Sequence, residues 1–222
     1  MSSAVETLFL FAVIWCLFWA LTATRSRIVL AVMVALGVVH WILAARGVYT
    51  NTTTFPPPQA LLLAPAVLAL VITLIMPAGR RWLSGFDPLA LVMLQVMRVP
   101  VEVTLHQAWL SGLVPQGMTY SGHDFDILSG ISAAFMATWM LGKRPPGRAV
   151  QIGWNLACLV LLFIVVITAV LSIPSSIQRI NFDHPNVLVT SAPYVLLPAV
   201  IVPAALWAHA ASLVRLFAKD QR

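Results

Sequence analysis

Long apolar runs, separated by short polar segments, are the feature that most constrains how this chain can fold. Each run is close to the ~20 residues that a helix needs to cross a bilayer. Only 9% of the 222 residues are charged, against about 25% in a soluble domain. The sequence therefore predicts an all-α polytopic membrane protein and excludes a soluble globular protein. We expect a single domain over residues 1–222 with seven transmembrane helices, at 5–22, 28–48, 59–76, 88–109, 122–141, 150–173 and 194–217.

The basic residues between these runs predict an orientation. Segments that alternate along the chain carry ten Lys and Arg residues on one side of the membrane and only Arg46 and Arg179 on the other. Cytoplasmic loops carry the excess of positive charge, so we expect the N-terminus outside and the C-terminus in the cytoplasm. The ten are Arg25, Arg27, Arg80, Arg81, Lys143, Arg144, Arg148, Arg215, Lys219 and Arg222.

The fourth run contains the clearest group of ionisable residues inside a span. Arg98, Glu102 and His106 are spaced by four residues and so lie on one stripe of a helix. Pro100 lies between the first two and should kink the helix, because it removes a backbone donor. Ionisable groups within a membrane are costly and need a partner or a function. These residues are therefore the first candidates for a site, with Glu102 and Arg98 as possible catalytic groups.

The fifth run adds His123 and Asp126, three residues apart. By helix rise, Glu102 lies ~21 Å and Asp126 ~24 Å from the cytoplasmic edge, so the two carboxylates have similar depths in the outer leaflet. Glu102, His106, His123 and Asp126 could together bind a divalent metal ion such as zinc, iron or manganese. Asp124 is interpreted as a helix cap, because Ser121 and Asp124 have the spacing of a capping box.

Three further histidines are placed by the same reasoning. His40, in the second run, could point toward the Arg98–Glu102 layer and contribute to ligand binding. His184 lies in the long outer loop 174–193, where it could be a fifth ligand or a lid residue. His209 and Asn155 have similar depths in the inner half and could simply hydrogen-bond across helices.

Several cofactors and partners have little support in the sequence. A retinal Schiff base needs a lysine within a span, but Lys143 and Lys219 both lie at the cytoplasmic edge. Haem b lacks a pair of histidines at equal depth, and the basic residues fit loop positions rather than nucleic-acid binding. Cys16 and Cys158 both lie in apolar runs, so we expect neither a disulfide nor a cysteine metal site.

Two segments resemble a family of uncharacterised bacterial integral membrane proteins. They are RVPVE at residues 98–102 and MTYSGHDFDI at residues 118–127, and residues 196–213 are also similar. The resemblance covers the second half of the chain and implies a multi-pass protein of the bacterial inner membrane. It brings no established activity and assigns no residue a role.

Three functions are compatible with these residues. The first is an outward-opening ligand or metal site in the outer leaflet, which could be that of a membrane-embedded enzyme acting on a lipid or small molecule. Its binding residues would be Arg98, Glu102, Asp126, His40 and His184. The second is a small-solute or proton-coupled carrier. The third is a structural or partner-binding protein in which Arg98, Glu102 and Asp126 only tie helices together. The polar residues lie mainly toward the outside, which favours the first function over a carrier.

Overall fold

The computed structural model of the protein describes residues 1–218, and over this range it contains helices and turns but no strand. Lys219 and Arg222, which the charge count includes, lie outside the described residues. The α-helices of the described range are α1 (Ser3–Thr24), α2 (Arg27–Ala45), α3 (Ala64–Ile75), α4 (Pro77–Ser84), α5 (Pro88–Gln95), α6 (Arg98–Leu110), α7 (Ile127–Leu141), α8 (Arg148–Ser172) and α9 (Val202–Ala218).

Within residues 1–218, five helical segments are long and apolar enough to cross a membrane. They are α1, α2, the continuous pair α5–α6, α8, and α9 together with the π-helical turn Leu197–Ile201 that precedes it. The third predicted span, 59–76, contains only one α-helix, the 12-residue α3, which is followed by α4 at an angle of 100°. Met76 is extended there because the residue before a proline, here Pro77, is disfavoured in a helix. The fifth predicted span is the short helix α7, with 15 residues.

The expected interruption near Pro100 is present, and it separates α5 from α6. Pro100 has no N–H to donate to the carbonyl of Val96, so that carbonyl accepts from Val99 N at 3.1 Å instead. Arg98 follows this tightened turn as the first residue of α6.

Basic residues hold several elements together at one end of the bundle. Arg25, at the end of α1, lies 3.8 Å from the carboxylate of Asp87, which caps α5. Arg215 of α9 donates to the carbonyl oxygen of Phe86 at 3.0 Å. The end of α1, the start of α5 and the end of α9 are therefore neighbours.

The polar loops meet at the opposite end. The side-chain amide of Gln59 donates to the carbonyls of Tyr49 at 2.7 Å and Pro174 at 3.4 Å, which joins the loop after α2 to the loop after α8. The loop after α8 also bonds to the loop after α6, because Val187 N donates to Leu113 O at 3.0 Å. Three loops thus cover this end, which we call the loop end.

A glycine allows α6 and α7 to approach closely. A Cβ atom added at Gly130 of α7 would lie 2.8 Å from both the backbone nitrogen and Cγ2 of Val99, and 3.2 Å from Cβ of Arg98. These distances are too short for a side chain, so the two helices can hold their present spacing only with glycine at this position.

We predict that Gly130→Ala lowers the thermal stability of the detergent-solubilised protein, because the added methyl group must push α6 away from α7. Overpacking of this kind costs about 1–3 kcal/mol. The matched control is Gly153→Ala in α8, where an added Cβ meets nothing within 4 Å. The control variant should have the same thermal stability as the wild type or a higher one. Equal stability of the two variants would contradict the close contact between α6 and α7.

Candidate functional site

A buried ion pair lies at the centre of the site and joins three helices. Nη1 of Arg98 lies 3.2 Å from Oδ1 of Asp126, and the two side chains are only 3% and 7% exposed. The same Nη1 donates to the carbonyl oxygen of Cys158 in α8 at 3.4 Å. Ser129 Oγ donates to Asp126 Oδ1 at 3.2 Å. Arg98 of α6 therefore connects the start of α7 to the middle of α8.

Two more carboxyl groups, those of Glu102 and Asp124, are buried beside this pair. Each residue is 1% exposed, and the charge of Asp124 acts on Glu102. Glu102 Oε2 and Asp124 Oδ2 have no hydrogen-bond partner among the described residues. Burial and the repulsion between neighbouring carboxylates both disfavour the ionised form. These two effects favour a proton on one member of the Glu102–Asp124 pair.

Charge balance leads to the same conclusion. The cluster of Arg98, Glu102, Asp124 and Asp126 contains one guanidinium and three carboxyl groups, and uncompensated charge is costly in a buried site. Asp124 lies in the loop before α7, outside the helices, and burial raises its pKa to about 7. The N–H of Asp126, which donates to Asp124 Oδ1 at 2.9 Å, and the charge of Arg98 oppose this rise in the pKa.

The cluster borders a cavity whose walls are otherwise largely apolar. The cavity has a volume of about 80 Å³ and is lined by Arg98, Glu102, Asp126 and Gln59 together with apolar residues of α6, α8 and α9. Several buried polar atoms of these residues lack a partner in the described part of the chain: Arg98 Nε and Nη2, Glu102 Oε2 and Gln59 Oε1. One water needs ~10–15 Å³ of such volume. The cavity therefore has room for several waters or for part of a larger molecule.

The structure does not assemble the predicted metal ligands. His106 is bonded to Ser121 at 3.1 Å and stacks on Tyr120 at 4.5 Å, while His123 is exposed. Within residues 1–218, no three His, Cys, Asp or Glu side chains form a group that could hold a metal ion. The reason is that α7 begins only at Ile127, so His123 lies in a loop rather than on a helix facing Glu102.

The remaining predicted ligands, His40 and His184, have other environments. His40 hydrogen-bonds to the hydroxyl of Tyr49 near the loop end. His184 is exposed, so it does not cover the cluster as a lid. The loop 174–193 nevertheless contributes Val189 to the cavity wall. From this loop the cavity wall therefore contains an apolar side chain and not the predicted histidine.

The predicted contact between His209 and Asn155 is confirmed, and one residue of the site was missed. His209 Nδ1 lies 2.9 Å from Asn155 Oδ1, as expected from their depths. Asp124, in contrast, was interpreted as a cap. Its side chain does accept a nearby backbone N–H, but from Asp126 in a tight turn, and the turn buries the carboxyl group against Glu102. An Asp two residues from a second Asp at the start of an apolar run is the signal that could have identified it.

The helical fold, with several helices long enough to span a bilayer and a charged cluster between them, is that of an integral membrane protein. A family model described as a domain of unknown function (DUF8737) matches residues 55–217, and the chain belongs to this family. The match includes the whole cluster and leaves α1 and α2 outside. Among curated proteins and solved structures, none matches the chain.

We predict strong coupling between Arg98 and Asp126. Arg98→Gln and Asp126→Asn should each destabilise the protein by about 3–5 kcal/mol, because each leaves a buried charge without its partner. The double variant should recover part of this loss, as measured by thermal unfolding in detergent.

The control for this experiment is Arg25→Gln. The side chain of Arg25 is 82% exposed in its pair with Asp87, so its loss should cost no more than about 1 kcal/mol. Additive effects of Arg98→Gln and Asp126→Asn would show that the two side chains do not form a coupled pair.

Proposed function

We propose that the protein is a multi-pass protein of the bacterial inner membrane that crosses the bilayer seven times, with the N-terminus outside and the C-terminus in the cytoplasm. The 12-residue helix α3, which is followed by α4 at 100°, and the short helix α7 would be the two irregular crossings. The alternation of ten basic loop residues against two supports this orientation. The contacts of Arg25 and Arg215 at one end of the bundle are in keeping with it, since both belong to the ten. The loop end would then face the outside.

Reporter fusions test this topology. Alkaline phosphatase joined after Thr52 should be active and green fluorescent protein there dark, because we expect this loop outside. Fusions after Lys143 should give the reverse result. The opposite pattern would reject the proposed orientation, and an external signal at both positions would reject an odd number of crossings between Thr52 and Lys143.

We propose further that the cavity beside the cluster binds an amphiphilic molecule, with an apolar chain and a polar end, which enters from the bilayer. The observation that carries this proposal is a largely apolar cavity that ends at unpartnered polar atoms of Arg98 and Glu102. Leu63, Val166 and Val170 line the cavity and are themselves partly exposed at the bundle surface, which faces lipid.

The residues of the cluster suit different parts of such a ligand. The free Nε and Nη2 of Arg98 can pair with an anionic group of the polar end. A proton on Glu102 can be donated to the ligand or returned, which is the requirement for general acid–base chemistry. Glu102 is the acid–base group that borders the cavity, and Asp126 holds Arg98 in place. If the protein is an enzyme, these are the roles that we assign.

Mass spectrometry of lipids and small molecules that co-purify in mild detergent tests the binding proposal. We expect a discrete amphiphile that is enriched over the bulk membrane lipids. Ala169→Phe should reduce its amount at least tenfold, because residue 169 lines the cavity and the larger side chain fills it. Glu102→Gln should reduce it as well, since the amide keeps the shape but cannot supply the acidic proton.

The matched control is Ala157→Phe, which adds the same side chain to an exposed position of the same helix. This variant should retain the ligand. Wild-type protein that carries only bulk lipids, or equal ligand content in the two phenylalanine variants, would overturn the proposal.

A further inference from the structure

A second cleft lies between α3, α4, α8 and α9 and has a volume of about 940 Å³. We call it the α4 cleft. Helix α9 packs against each of the other three helices and so joins the walls. Val71 of α3, Phe163 of α8 and Phe217 of α9 line the cleft and are each about half exposed. The cleft therefore opens on the surface of the bundle that faces lipid. Among the described residues, none lines both this cleft and the cavity beside the cluster.

Two arginines line the α4 cleft, while most of its other walls are apolar. They are Arg80 and Arg81 of α4, and Ser84 of the same helix lies close to them along the chain. Both arginines are exposed, and neither guanidinium forms an ion pair or hydrogen bond with another described residue. The described residues that line the cleft include no Asp or Glu. The cleft thus combines apolar walls with two positive charges that no described carboxylate balances.

The direction of α4 places these charges where lipid headgroups lie. Since α4 meets α3 at 100°, it runs nearly parallel to the membrane surface if α3 crosses the bilayer as proposed. Trp82 packs on Trp207 of α9 at a centroid distance of 6.2 Å and Leu83 is fully buried, so the apolar side of α4 faces the bundle. Arg80 and Arg81 remain exposed. A helix with arginines on one side and apolar residues with a tryptophan on the other is typical of the membrane interface.

The length of the cleft matches one leaflet of a bilayer. The lining residues of α9 run from Leu206 to Phe217 and beyond, which corresponds to ~16 Å by helix rise. Those of α3 begin at Val67 and continue to Pro77 at the start of α4, which corresponds to ~15 Å. Half of the ~30 Å hydrocarbon core is ~15 Å. The apolar walls are therefore about as long as the acyl chains of a phospholipid in a single leaflet.

We propose that the α4 cleft binds an anionic phospholipid from the leaflet at this end of the bundle, which is the inner leaflet in the proposed orientation. The phosphate pairs with Arg80 and Arg81, because a guanidinium can offer two parallel N–H donors to a phosphate. The acyl chains lie along α3, α8 and α9. Basic pockets between membrane helices on the cytoplasmic side are known to bind anionic headgroups. A zwitterionic lipid brings its own positive charge close to the arginines, so the site prefers a lipid with a net negative charge.

Such a lipid would stabilise the bent segment α3–α4. Its headgroup contacts α4 and its chains contact α8, so it connects two helices across the opening of the cleft. A molecule that binds the folded protein raises its stability in proportion to the logarithm of the concentration relative to Kd. The thermal stability of the protein in detergent should therefore rise on addition of the anionic lipid, and more than on addition of a zwitterionic lipid.

Native mass spectrometry of the delipidated full-length protein tests the proposal, with phosphatidylglycerol and phosphatidylcholine of identical chains as probes. Wild-type protein should bind one phosphatidylglycerol about tenfold more tightly than phosphatidylcholine, because two arginines near an anionic lipid contribute a preference of this order. The double variant Arg80→Gln/Arg81→Gln should lose the preference. The matched control is Lys143→Gln/Arg144→Gln, which removes two equally exposed charges from the loop after α7 and should keep it.

A second pair of variants tests the apolar part of the cleft. Ala210→Phe fills the cleft from α9 and should reduce the bound phosphatidylglycerol, whereas Ala134→Phe, at an exposed position of α7, should not. Equal affinity of wild-type protein for the two lipids, or equal results for the two members of either pair, would overturn the proposal.

The variant Ala169→Phe separates this proposal from that of an amphiphile in the first cavity. It fills the first cavity and should leave the preference for phosphatidylglycerol unchanged. Loss of the preference in this variant would place the lipid in the first cavity and overturn its assignment to the α4 cleft. The measurement is made in detergent, so its result does not depend on the proposed orientation in the membrane.

Discussion

Burial of the Arg98 guanidinium inside an apolar bundle is the constraint on which the arrangement of the site depends. Moving a charged group out of water costs several kcal/mol even after relaxation, and only a close partner with further hydrogen bonds offsets this cost. Asp126 and the Cys158 carbonyl provide those contacts from α7 and α8. Gly130 allows the close approach of α6 and α7 that these contacts need, because any larger residue would push the backbone of α6 away from α7.

Sequence reasoning identified the part of the cluster that follows from regular periodicity. Arg98 and Glu102 are four residues apart in an apolar run, and Asp126 has a matching depth in the next one; all three are buried together. It failed where the backbone leaves the helix. The prediction begins the fifth helix at residue 122, so it places His123 beside Glu102 and assigns Asp124 to a cap. In fact the loop 119–126 buries Asp124 and exposes His123.

The predicted spans also differ from the observed helices where the backbone leaves regular helical geometry. Apolar length alone predicted seven similar helices, but it is insensitive to the extended backbone that Pro77 imposes before itself. That proline follows the last residue of the third run, and α4 begins there at 100° to α3. The broken α5–α6 segment was easier to foresee, because Pro100 interrupts a long run that remains straight enough to count as one span. A proline within an apolar run or directly after it therefore indicates a break, while the angle of the break depends on packing.

The unpartnered polar atoms indicate that the cluster does more than stabilise the contact between helices. A buried donor or acceptor without a partner lowers the free energy of unfolding by about 1–3 kcal/mol. If these groups served stability alone, we would expect apolar side chains in their place. Here Arg98 Nε and Nη2, Glu102 Oε2 and Gln59 Oε1 all belong to residues that line one cavity. A ligand or water that fills this cavity would satisfy several of them at once. The unpartnered polar atoms and the space for a molecule that could bond to them thus lie at the same place. This pattern is expected of a binding site rather than of a structural ion pair.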